Sequence, residues 1–171
     1  MTNTTSDRER HDTLDVLRKH RQLLLGTVQG VTDEQAAART TVSELCLGGI
    51  IKHVSQVEER WAGFIVDGPS VFPPMDEAAY KAHLESFQMQ PDETLAGIVA
   101  AYDAVARRVD DLVMSVPSFD DDHELPSAPW FEPGARWSAR RCFTHIVAET
   151  AQHAGHADII REAIDGQKSM G

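Results

Sequence analysis

Residues 138–166 read Ser138-Ala139-Arg140-Arg141-Cys142-Phe143-Thr144-His145-Ile146-Val147-Ala148-Glu149-Thr150-Ala151-Gln152-His153-Ala154-Gly155-His156-Ala157-Asp158-Ile159-Ile160-Arg161-Glu162-Ala163-Ile164-Asp165-Gly166. The stretch holds no proline, opens at a serine and ends at a glycine, the start and stop signals of one long helix. Cys142, Ile146, Ala157, Ile160 and Ile164 recur at helical spacing and define an apolar arc. Glu149 and His153 fall inside that arc, and His145 and His156 lie at its edge, when residues are placed about 100° apart. A carboxylate on an apolar face needs a partner, because burying it alone costs several kcal/mol, on the order of a domain's whole margin of stability.

Upstream, three more long helical patterns precede this one. The second of them begins after Ser43, a good N-cap, and continues to about Val66. Cys46, Ile50, Val54, Val57, Trp61 and Phe64 form its stripe, and Asp67-Gly68-Pro69 stops it. His53 lies within that stripe. The first helix is expected from Asp7 to Gln29, ended by Gly30, with Leu14, Leu17, Gln22 to Leu25 and Val28 near one side. Thr32-Asp33-Glu34-Gln35 reads as a capping box opening a short connector. The third long helix is expected to start near Pro91-Asp92-Glu93 and to end before Pro117.

Ser70 to Met75 reads as loop, and Asp76 to Phe87 as a short helix outside the main core. Ser118 to Trp137 is a long loop carrying Pro126, Pro129, Pro133 and the acidic run Asp120 to Asp122. Loops of that length are functional lids or disordered segments. The expected fold is all-α: a single domain spanning 1–171, an up-down-up-down four-helix bundle with short extra helices in the connections.

Composition narrows the function classes. The chain has 171 residues, 27 Asp+Glu against 16 Lys+Arg, and a formal charge of -11. Nucleic acid is an unsuitable partner for so acidic a surface. No apolar run approaches the roughly 20 residues of a membrane helix, and no secretory leader opens the sequence. Cys46 and Cys142 are too few for a disulfide framework and read as reduced, small core residues. A cytoplasmic location is therefore expected.

In the alternating topology the second and fourth long helices run parallel. Counted from their caps, His53, Glu149 and His153 then sit within about two turns of depth. Two imidazoles and a carboxylate converging there suit a divalent metal with an open coordination position. The competing reading is a metal-free core in which Glu149 pairs with His53 or His153. His145 and His156 are candidates for orienting the ligands or relaying a proton, with partly exposed polar residues as the alternative.

Two segments also carry a resemblance: Leu47 to His53 and Val54, with Glu58-Glu59-Arg60-Trp61, and the closing run Trp137 to Asp158. Both are similar to the DinB-like superfamily. The resemblance implies a metal-binding four-helix bundle whose ligands, carried over by position, are His53, Glu149 and His153. Many members have histidine where this chain has Glu149; the glutamate is similar instead to the mycothiol-dependent maleylpyruvate isomerase branch. A carboxylate in place of an imidazole makes the site harder and less selective for zinc, so zinc is expected first and nickel second. The implied activity is that of a metal-dependent thiol S-transferase or isomerase, adding a low-molecular-weight thiol such as mycothiol to a small-molecule electrophile. The alternative within the family is a non-catalytic, stress-linked binder of metal or small ligands. A homodimer is among the assemblies the resemblance implies. No protein side chain is assigned as catalytic.

Overall fold

A computed structural model of the protein describes residues 5–72 and 76–169. The chain is predominantly helical. Its long helices are α1 (Asp7–Gly26), α3 (Leu47–Asp67), α5 (Leu95–Ser115) and α6 (Ala139–Asp165), with short α2 (Asp33–Ala37) and α4 (Glu77–Ser86) between them. Local start signals explain most boundaries. Ser138 accepts the Arg141 N–H at the head of α6, Thr94 accepts from Gly97 at the head of α5, and Thr32 with Gln35 forms the capping box of α2. Gly166, at φ 78°, closes α6 in the left-handed region that glycine favours.

Three boundaries differ from expectation. The α3 helix begins at Leu47 with Cys46 in the cap position, because the Ser43 hydroxyl accepts the Leu45 N–H and closes a local turn instead. The α5 helix starts at Leu95 rather than near Pro91. The α1 helix ends at Gly26, and residues 27–30 continue as turns. Of the expected loop Ser70 to Met75, residues 73–75 lie outside the described residues, while Gly68–Val71 forms a 3-10 turn.

The alternating order of helix directions is corrected by the side-chain pairings. Arg140, at the start of α6, pairs with Glu9 at the start of α1. Near the other end, the buried Arg161 guanidinium donates to the Thr27 carbonyl at 2.7 Å and the Gln29 carbonyl at 2.9 Å. These two helices therefore run the same way. In contrast, His53 faces His153 while Trp61, later in α3, faces His145, earlier in α6. Hence α3 and α6 are antiparallel, and α5, whose start meets Lys52 through Glu93, runs with α3. In the antiparallel arrangement His53, near the start of α3, still meets Glu149 and His153, near the middle of α6.

Two apolar clusters fill the interior. One joins Leu14, Leu17, Phe64, Val109, Val113, Phe143 and Ile146; the other joins Leu24, Ile50, Val54, Ile98, Tyr102, Ala157 and Ile160. Between them lies a buried charged layer. Arg21 makes a two-pronged ion pair with Glu58, which is wholly buried, and its other nitrogen reaches Asp110 at 2.6 Å. Tyr102 sits beside Glu58 and Thr150, its hydroxyl buried without a hydrogen bond of normal geometry.

Two connections are more ordered than expected. Within 118–137, β1 (Asp122–Glu124) pairs antiparallel with β2 (Arg136–Ser138), setting His123 opposite Trp137. Phe119 and Leu125 enter the core from this segment. The α4 helix is largely exposed, as expected of a helix outside the core, but its end is not. A Cβ at Gly49 would overlap the Phe87 carbonyl, so glycine there lets the backbone after α4 lie directly on α3. The Cys46 thiol, at 3.8 Å, donates to that same carbonyl.

Candidate metal centre

Helical spacing sets the site on two facing helices. His53 points inward from the second turn of α3; Glu149 and His153, four apart, project from one face of α6. One ligand atom from each of the three lies within 4.8 Å of the others. His53 and His153 are both 7% exposed, and their rings meet edge to face with centroids 5.0 Å apart. The three residues predicted as ligands are thus brought together.

Glu149 has an incomplete environment. Its oxygens lie 3.7 Å from His145 Nε2 and 3.7 Å from His153 Nε2, too far for hydrogen bonds. Among the described residues it makes none. Burial holds its carboxyl above the ordinary carboxylate range. Burial, followed by the neighbouring His153 and His83, pushes the His53 ring down to about 3. Burial and then His156 push His153 down to about 4. At neutral pH both rings are therefore neutral, each with a lone pair to give, beside a carboxylate with no cation. That donor set fits a divalent ion, and its three donors leave room for a further ligand.

The neighbours divide into two sides. His145 stands in an aromatic corner, edge-on to Trp61 at 5.0 Å and to Trp137 at 5.1 Å, so the end of the 118–137 segment does reach the site. Burial and then the Arg141 charge lower its pKa. His156 comes no closer to His153 than 3.5 Å between their Nδ1 atoms. On the opposite side, Phe87 stacks on His53 at 3.8 Å and Ser86 Oγ lies 3.1 Å from His53 Nδ1. Sequence reasoning missed both. The one available signal was that His83 and Phe87 are four apart, on one face of the short helix.

A family model of mycothiol S-transferases matches residues 12–166. The chain belongs to the mycothiol S-transferase family. That family lies within the DinB-like superfamily, in agreement with the resemblance read from the two segments. No curated protein matches the chain. His53, Glu149 and His153, with His83, His145 and His156, all fall inside the matched span. Both of the chain's thiols are buried, and burial pushes Cys142 up to about 12, which makes it a poor nucleophile. No described helix is long and apolar enough to cross a membrane.

The protonation states give a directional test. Zinc affinity, measured by chelator competition, is expected to show no step at the ordinary histidine pKa of about 6.5. Exposed histidines would lose metal near their ordinary pKa of about 6.5. Here the depressed ring values postpone proton competition, and the raised Glu149 carboxyl takes up its proton first as pH falls. A steep loss of affinity centred near the ordinary histidine value would contradict the buried, neutral rings.

Proposed function

We propose that the chain is a metal-dependent mycothiol S-transferase, in which His53, Glu149 and His153 hold one divalent ion at the middle of a four-helix bundle. The reading is carried by the meeting of three donor atoms within 4.8 Å, around a carboxylate that makes no hydrogen bond among the described residues. Family membership supports the thiol. Zinc is the ion we assign first and nickel the second, acting in a single-domain cytoplasmic protein. When bound, such an ion supplies the Lewis acidity that favours a thiolate over a thiol at neutral pH.

The protein's own groups would do the rest. The neutral rings of His53 and His153 keep their lone pairs directed into the site. His145, the neutral base nearest the other face of Glu149, would take the proton that the thiol gives up. The Trp61, Trp137 and Phe87 rings would keep water from the reacting sulfur and give an apolar electrophile a surface to lie on. A carbon–sulfur bond then forms as the thiolate attacks the electrophilic carbon, whose leaving group departs with its electron pair.

Elemental analysis of untagged protein, followed by mycothiol consumption with an activated halide, tests the reading. About one metal per chain with metal-dependent turnover is the expected result. Metal without turnover, whatever thiol and electrophile are supplied, would make the protein a non-catalytic binder. No metal after incubation with zinc or nickel would leave a buried Glu–His network and end the proposal.

A further inference from the structure

The end of α4 does more than cover the site. Ser86 is 3% exposed and makes two contacts through a single hydroxyl. One, at 2.6 Å, is to the His83 carbonyl, and the other, at 3.1 Å, is to His53 Nδ1. A serine hydroxyl has one proton, and a carbonyl oxygen can only accept. The short contact to His83 therefore claims the Ser86 proton. What remains for His53 is a lone pair, so the contact at Nδ1 needs a proton on the ring.

We propose that Ser86 is the positioning residue of the site, fixing His53 as the Nδ1–H tautomer so that the Nε2 lone pair faces Glu149 and His153. Phe87, stacked on the same ring, holds its plane, and the close backbone approach at Gly49 fixes where both residues sit. Outer hydrogen bonds of this kind set the orientation and basicity of ligating histidines. The helix expected to be peripheral thus carries the group that readies one of the three donors. The inference rests on the metal reading for its purpose, but the tautomer itself exists without metal.

Nitrogen-15 NMR of the metal-free protein at pH 8 reads the tautomer directly. Wild type is expected to show His53 protonated at Nδ1 and unprotonated at Nε2. Ser86→Ala is expected to lose that preference and to weaken zinc binding by roughly 10–100-fold. Ser86→Thr, which retains the hydroxyl, is expected to restore both tautomer and affinity. A wild-type His53 protonated at Nε2 would overturn the proposal. So would a Ser86→Ala protein whose tautomer and affinity are unchanged. Failure of wild type to bind any metal would instead count against the proposed function, while the NMR comparison would still decide the role of Ser86.

Discussion

Glu149→Ala is expected to abolish stoichiometric metal binding, and at the same time to make the metal-free protein slightly more stable. The first effect follows from removing the only charged donor of the three. It should exceed the roughly 10–100-fold typical of an orienting group. The second follows from desolvation, since the carboxylate is partly buried beside neutral rings and makes no hydrogen bond among the described residues. Its raised pKa means that the folded state opposes ionisation. The resulting penalty is present at neutral pH and disappears as pH falls through the folded-state pKa and both folded and unfolded forms become protonated. Melting in a chelator at neutral pH should show a gain of about 1 kcal/mol, shrinking in acid; melting with zinc should show wild type ahead. A variant that is less stable than wild type without metal would argue that Glu149 is a structural partner of the histidines.

Arg21→Ala is expected to cost about 3–5 kcal/mol, because it leaves Glu58 charged and alone in the interior. For a chain of this size the thermal midpoint should fall by on the order of 10 °C. The pair is 6% and 0% exposed, so water cannot take over the vacated hydrogen bonds. Replacing both members, as in Arg21→Met with Glu58→Met, should recover most of the loss, since two apolar side chains of similar length leave no orphaned charge. Chemical denaturation of the metal-free proteins distinguishes the cases. A loss below about 1 kcal/mol for the single variant, the size expected of an exposed pair, would contradict the burial of Glu58.

The parts legible in the sequence are those governed by local rules. Ser138, Thr32 and Gly166 act where capping chemistry puts them, and the inward faces of α3 and α6 follow from spacing alone. Long-range choices were not legible. Nothing in either helix says whether α3 and α6 run parallel, since an apolar stripe carries no direction. The strands at Asp122–Glu124 and Arg136–Ser138 are too short for alternation to register. Ser86 escaped because its value lies in a contact with a residue 33 positions away. The charged layer was readable and passed over: Arg21 stands four after Leu17 and three before Leu24, and Glu58 four after Val54, each on a buried face.

The α1 helix gives no residue to the candidate metal centre, yet both helices that do are fastened to it. Arg21 ties it to Glu58 of α3, and Arg161 of α6 is tied to the carbonyls at its end. An apolar interface alone would tolerate a slide of one helical turn, about 5.4 Å, with modest repacking. That slide is longer than the 4.8 Å within which the three donor atoms meet, and either fastening would have to break for it to occur. The first helix thus works as a ruler, holding the two donor-bearing helices in register.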